Sequence, residues 1–344
     1  MKTFEIVLSE ERNVTMTLYL NLESPEFHYP ARPLMMVLPG GGYSMCSDRE
    51  AEVVALPYLT AGYQVCILRY TLKQKDGWPH PLNDYDAAID TVAAHAEEWR
   101  IDMSRVAVVG FSAGGHLAAC TATLAKHRPR AAICVYPAIL KEIVDACQPN
   151  MPYPHEHVDA HTSPCYLVTV RDDSLVNCKN TLQFALALEE KGIQFETHVY
   201  SYGNHGFSTG APLIAVDPIS PRVAQWVQGS IGWLGEIMGA LTENGYTKPI
   251  LGRTMNGDGE AFLSVHCTFA HLRQQSAEVQ KLLEPLLDSM RARAEAGGYS
   301  FETLCAFLSR YTLQALINTL QMPVQQIEQL DAALQTIPNP SANQ

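Results

Sequence analysis

Apolar and polar residues alternate along residues 4–8 and 14–21, a period of two that predicts an antiparallel β-hairpin at the start of the chain. Beyond it, short β-rich apolar runs at 34–38, 64–70, 105–109, 131–136, 165–170 and 195–200 are separated by stretches of helical spacing. Strands that alternate with helices predict an α/β fold: a mostly parallel sheet with helices on both faces. One such helix is expected to begin at Asn83 or Asp84 and run to about Arg100, with Ala88, Val92, Ala96 and Trp99 on its apolar stripe. Another opens at Pro221, passes through Trp226 and Trp233 to about Leu241, and is expected to close the first domain, residues 1–243.

The pattern then changes. Asn244-Gly245 and the Pro/Gly/Asn-rich stretch 248–259 predict a linker over 244–259. From residue 260 no strand pattern is evident. Apolar residues recur instead at helical spacing, as in Leu282, Leu286, Met290 and Leu304, Leu308, Tyr311. Gly297-Gly298 is expected to break one helix, Ser300 to cap the next, and Pro323 to open the last. This predicts an all-helical C-terminal appendage over 260–337 and a disordered tail over 338–344. The appendage is expected to pack as a bundle on the main domain or on a second copy of the chain, giving a homo-oligomer; a lid is the alternative.

Composition narrows the classes of function. At 344 residues, 47% hydrophobic and 17% charged, the chain is long enough for a large core and too apolar for disorder, yet it has no run of roughly 18 uncharged apolar residues. The formal charge of −12 disfavours nucleic acid and anionic membranes as partners. The first ten residues reach acid before any long apolar run, and the nine cysteines include no C-x-x-C pair. These features point to a cytoplasmic protein with reduced thiols.

The chemistry is carried by Gly110-Phe111-Ser112-Ala113-Gly114, a G-x-S-x-G sequence that follows a buried strand and opens an Ala-rich helix. That placement holds Ser112 on a sharp turn above the sheet edge. A serine hydroxyl needs a base and an acid behind it to become a nucleophile at neutral pH. The acid is expected after the strand 165–170, at Asp173 with Asp172 as the fallback. The base is expected at His205, in the glycine-flanked loop after the strand 195–200. Pro39-Gly40-Gly41-Gly42-Tyr43 follows the strand 34–38, and Gly41, Gly42 and Ala113 are the expected oxyanion-hole amides.

These motifs, with Ser47-Asp48-Arg49-Glu50, Arg69-Tyr70, Trp78-Pro79-His80-Pro81 and Gly203-Asn204-His205-Gly206-Phe207, resemble the α/β-hydrolase superfamily over about residues 14–240. The resemblance is to its small esterases, near the hormone-sensitive-lipase-like and acetyl-xylan esterase proteins, some of which are labelled xylanase. It places the acid three residues before Val176, hence Asp173. Pro39 stands where many members have histidine, and Asn177 where many have proline. The resemblance implies a serine esterase that acts through an acyl-enzyme on short acyl esters of small molecules, acylated sugars or xylo-oligosaccharides among them, with no cofactor and no metal. The alternatives are an amidase of the same fold, or a non-enzymatic scaffold that works through its helical appendage.

Other signals carry less. Tyr43, Tyr70 and His80 are candidate pocket residues. Arg49 and Glu50 read as an ion pair supporting the glycine loop, with Arg49 touching a sugar as the alternative, His116 as a packed or capping helix residue, and Asp84 as a helix start. Tyr153-Pro154-His155-Glu156-His157, with Asp159 and His161, holds metal-capable side chains without the spacing of a zinc site, and reads as a loop near the pocket.

Overall fold

In a computed structural model, which describes residues 1–22, 26, 31–214, 218–319 and 323–340, the chain forms two compact units, Met1–Arg253 and Thr254–Gln344. The first is an α/β sandwich. Its strands are β1 (Lys2–Ser9), β2 (Val14–Leu20), β3 (Arg32–Leu38), β4 (Gln64–Arg69), β5 (Ile101–Phe111), β6 (Ala131–Val135), β7 (Cys165–Val170) and β8 (Phe195–Tyr200). They line up in the order β1-β2-β4-β3-β5-β6-β7-β8. Pairing is antiparallel at β1/β2 and β2/β4, and parallel from β4 onward.

Every residue of β3 is buried, and its side chains divide by parity. Leu34, Met36 and Leu38 join one core with Tyr85, Ala88 and Val92 of α2 (His80–Ala94), Leu117 of α4 (Ala113–Thr123) and Phe184 of α6 (Lys179–Glu190). Met35 and Val37 join the other with Tyr58 of α1 (Glu52–Thr60) and Trp226, Trp233 and Leu234 of α7 (Gln225–Met238). The period-two split is what a sheet covered on both faces demands. Two short helices, α3 (Ala96–Trp99) and α5 (Lys141–Cys147), complete the unit's helices.

The expected helix start at Asn83 or Asp84 is corrected. The helix begins at His80, after Pro79, with Pro81 in its first turn, where proline's missing N–H costs nothing. Asp84 does not cap it: its buried carboxylate accepts Thr71 N at 2.8 Å and pairs with Arg12 at 3.0 Å. The last helix of the unit likewise starts at Gln225 rather than Pro221, and Gly239, with φ of 83°, ends it at Met238.

The linker boundary also moves. Residues 240–253 belong to the first unit: β9 (Leu241–Thr242) and β10 (Gly245–Tyr246) form a hairpin, Arg105 stacks on the Tyr246 ring at 3.8 Å, and Arg253 O accepts Gln194 N at 2.9 Å. The turn-rich composition marked a hairpin and a solvent-exposed strap held to the first unit by the Arg105–Tyr246 stack and the Gln194–Arg253 backbone bond, not a free connector.

The second unit has its own core of Leu263, Phe269, Leu283, Leu287, Leu313 and Leu316, among others. Its helices are α8 (Phe269–Arg273), α9 (Ala277–Gly297), α10 (Phe301–Phe307), α11 (Leu313–Thr319) and α12 (Val324–Leu334). Gly298, left-handed with φ of 72°, stops α9, and the Ser300 hydroxyl accepts Thr303 N at 3.1 Å to begin α10. The expected disordered tail is corrected at its start: Asn339 is buried, donates to Asp258 O at 2.8 Å and meets His271 Nε2 at 3.0 Å. Residues 341–344 of that tail lie outside the described residues. Among the described residues no helix is long and apolar enough to cross a membrane.

Candidate active site

The carboxyl ends of four parallel strands supply the site. The strand β5 runs into Ser112 with φ 53° and ψ −114°, a conformation disfavoured for any L-residue and held by its surroundings. The flanking glycines are sterically required: a Cβ at Gly110 would lie 2.0 Å from the Gly114 carbonyl oxygen, and one at Gly114 would lie 2.1 Å from the Leu38 carbonyl oxygen. Strand, turn and helix are packed so closely that only hydrogen fits between them.

Three side chains from separate loops meet here. Ser112 Oγ lies 2.9 Å from His205 Nε2, and His205 Nδ1 lies 2.7 Å from Asp173 Oδ2. A carboxylate only accepts, so Nδ1 carries the proton and bare Nε2 accepts the serine hydroxyl. Asp173 is buried and held by two further donors: its Oδ1 accepts the amides of Leu175 at 2.9 Å and Val176 at 2.8 Å. Asp172 points elsewhere; it is exposed and accepts Gly203 N at 2.8 Å, bracing the loop that leads to His205.

Beside Ser112 and His205 opens a cavity of about 530 Å³. Gly41 and Gly42 line it, both with positive φ, and Ala113 provides the first amide of α4, where helix N–H groups lack intrahelical partners. Ala138, Ile143, Ala146, Cys147, Leu175 and Val176 form its apolar wall, while Ser44, Ser47 and Lys73 give it polar lining.

The three expected pocket residues lie elsewhere. Tyr43 and Tyr70 are buried beneath the glycine loop, where their hydroxyls meet His116 Nδ1 at 2.7 Å and Pro39 O at 2.5 Å. His80 pairs with Asp76 at 3.1 Å at the start of α2. The polar tips of the two tyrosines are used inside the fold: Tyr70 holds Pro39 O before the glycine loop, and Tyr43, at its end, is held to His116 of α4. Arg49 does not pair with Glu50 as expected; it donates to the carbonyls of Gly206 and Ile214, clamping the chain that follows His205. The stretch around residue 155 forms a 3-10 turn in which Asp159 pairs with Arg128 at 2.6 Å and Tyr153 donates to Asp145 at 2.9 Å.

Sequence reasoning missed the surroundings of Glu50. Its carboxylate is 5% exposed, accepts Gly40 N at 2.8 Å and accepts the Tyr136 hydroxyl at 2.6 Å. The Tyr136 ring lies edge-on to His205, with centroids 4.8 Å apart. Burial pushes the Glu50 carboxyl above its ordinary range, against the pull of those two donors.

A parallel sheet, a nucleophile turn between β5 and α4, and acid and histidine loops after β7 and β8 together define an α/β hydrolase. Comparisons agree. The family profile described as BD-FAE matches residues 20–134. MGS-M1, an α/β hydrolase enzyme from a Medee basin deep-sea metagenome library, is 35% identical with a TM-score of 0.64; the alignment covers 69% of this chain and 98% of that one. An acetyl ester-xyloside bifunctional hydrolase from Caldicellulosiruptor lactoaceticus is 29% identical with a TM-score of 0.58, covering 65% and 88%. An acetylxylan esterase from Xylanibacter ruminicola is 28% identical over 66% of this chain and 50% of its own length. Endo-1,4-beta-xylanase B of Butyrivibrio fibrisolvens is 29% identical over 52% and 33%. The chain therefore spans between a third and a half of these two curated relatives. It belongs to the α/β-hydrolase superfamily.

Proposed function

We propose that the chain is a serine carboxylesterase that cleaves short-chain acyl esters through an acyl-enzyme, with acetylated sugars or xylo-oligosaccharides as substrates. The observation that carries this is the continuous relay from Ser112 Oγ through His205 to buried Asp173 at the mouth of the cavity. In the first half-reaction Ser112 Oγ attacks the ester carbonyl as its proton passes to His205 Nε2. The tetrahedral oxyanion is met by the amides of Gly41, Gly42 and Ala113, and Asp173 supports the imidazolium that forms. That imidazolium returns the proton to the departing alkoxide, leaving the acyl group on Ser112. Water then enters and attacks the acyl carbonyl as its proton passes to His205; the imidazolium returns that proton to Ser112 Oγ as the acid leaves, restoring the resting site.

Ile143, Leu175 and Val176 supply the apolar surface an acyl group would bury, and the short acyl group of the proposal rests on the relatives named for acetyl esters. The sugar half of the proposal rests on the relatives named as an acetylxylan esterase and an acetyl ester-xyloside hydrolase. We place the protein in the cytoplasm, a reading supported by nine free cysteines.

Hydrolysis rates on p-nitrophenyl acetate, butyrate and octanoate, with acetate release from acetylated xylo-oligosaccharides, test the proposal. Preference for acetate and deacetylation of the sugar are expected. Turnover of aminoacyl amides at rates comparable to esters would favour an amidase, and failure of the folded protein on every ester would overturn the reading.

A further inference from the structure

The centre contains a second carboxylate that the relay does not use. Glu50 approaches the nucleophile across Gly40: a Cβ built on Gly40 would lie 2.6 Å from Glu50 Oε2 and 3.1 Å from Ser112 Cβ. Only the absence of a side chain at Gly40 leaves room for the carboxylate this close to the nucleophile. Glu50 also lines the same cavity as Ser112 and His205.

Donor directions favour the ionised form of Glu50, against the burial that raises its pKa. Gly40 N can only donate, and does so to Oε2 at 2.8 Å. The Tyr136 oxygen accepts Ser208 N at 3.0 Å, so its proton goes to Glu50 Oε1 at 2.6 Å. Both carboxylate oxygens are acceptors, which is the bonding of the ionised form. The groups facing Glu50 are Arg49, Tyr70, Tyr136 and His205, while His205 itself faces Asp173, Ser112 and Tyr136. The guanidinium of Arg49 donates to the carbonyls of Gly206 and Ile214 and makes no direct ion pair with Glu50 among the described residues, though its charge still favours the ionised carboxylate.

Resting on the serine-hydrolase reading above, we propose that Glu50 is a positioning residue with two effects. Its bond to Gly40 N fixes the turn that carries Gly41 and Gly42, and its charge favours the imidazolium that forms at His205 when Ser112 attacks. Asp173 supplies the orienting bond at Nδ1, while Glu50 acts through its charge, linked to His205 by Tyr136, whose hydroxyl bonds Glu50 and whose ring lies edge-on to the imidazole. A buried carboxylate left with only two hydrogen bonds is costly to stability, and this use accounts for keeping it ionised at the site.

The test measures the reactivity of Ser112, so it does not depend on which ester is the substrate. A fluorophosphonate probe is used on the full chain: Ser112 Oγ bonds to phosphorus, fluoride leaves, and the hydroxyl proton passes to His205. The labelling rate is followed from pH 5 to 9 for wild type and Glu50→Gln, which keeps the shape and the acceptor for Gly40 N but removes the charge. The plateau rate is expected to fall about tenfold, and the acid limb to move to lower pH by about half a unit, because an imidazole that loses a neighbouring anion holds its proton less tightly. An unshifted acid limb, with or without slower labelling, would overturn the charge role. Should Glu50→Gln fail to fold, Tyr136→Phe tests the same link: slower labelling at an unchanged melting temperature supports it, and an unchanged rate overturns it. Rapid Ser112 labelling in wild type without turnover of any ester would sink the esterase reading while leaving this test intact.

Discussion

Tyr43 and His116 meet through a buried 2.7 Å hydrogen bond whose direction is fixed. His116 Nε2 lies 2.8 Å from the carbonyl of Pro152, so it must carry the proton, and Nδ1 is left to accept from the tyrosine. The bond ties the end of the glycine loop to the helix that begins at the nucleophile. Desolvation pushes the His116 pKa down to about 4, so the ring is neutral in the folded protein at pH 7. An unfolded histidine titrates near 6.5. Between those values the unfolded state binds the extra proton, so stability falls as pH drops from about 6.5 to 4, by about 3 kcal/mol at ~1.4 kcal/mol per unit. Urea melts at stepped pH should show this decline, and His116→Gln should flatten it.

The two adjacent acids should behave differently. Asp173→Asn removes the acceptor that orients His205 and should lower ester turnover by about 10⁴-fold. Asp172→Asn only loosens the Gly203 loop and should cost less than about tenfold. Comparable losses in both variants would contradict the assignment of Asp173.

Gly110 has no room for a methyl group. The 2.0 Å approach of its would-be Cβ to the Gly114 carbonyl involves backbone on both sides, so Gly110→Ala should destabilise by about 3 kcal/mol or more and abolish soluble expression or cooperative melting. A variant that melts like wild type would show that the turn is looser than described.

Truncation locates the true boundary of the catalytic unit. A chain ending at Arg253 keeps the hairpin, the Tyr246–Arg105 stack and the Arg253 strap, and is expected to fold and to retain fluorophosphonate labelling. One ending at residue 243 loses all three and should melt at least several degrees lower. Loss of labelling in the folded longer fragment would instead make the helical unit part of the working site.

What the sequence made legible was local. Alternation along β2, the apolar run of β3 and the G-x-S-x-G turn are read within a dozen residues, because the glycines and the apolar strands are imposed by contacts between neighbours. Choosing Asp173 over Asp172 was harder: both follow β7, and only the spacing to Val176, whose amide the buried carboxylate accepts, separates them. That Glu50 supports the glycine loop was legible, but its partner was not: the sequence suggested neighbouring Arg49, whereas Tyr136 lies 86 residues away and no periodicity links them. Tyr43 and Tyr70 were misplaced for a related reason. Sequence shows an aromatic residue beside a loop, but not whether its hydroxyl finds a partner above or below. The strap at 244–253 was obscured because glycine and proline punctuate hairpins and linkers alike.

Whether Ser112 is the nucleophile of an esterase is decided by p-nitrophenyl acetate hydrolysis by wild type and Ser112→Ala at matched concentration. Saturable turnover by the wild type and a loss of at least about 10³-fold in the variant, with its fold intact by circular dichroism, are expected. Equal turnover by the two proteins would contradict that role for Ser112.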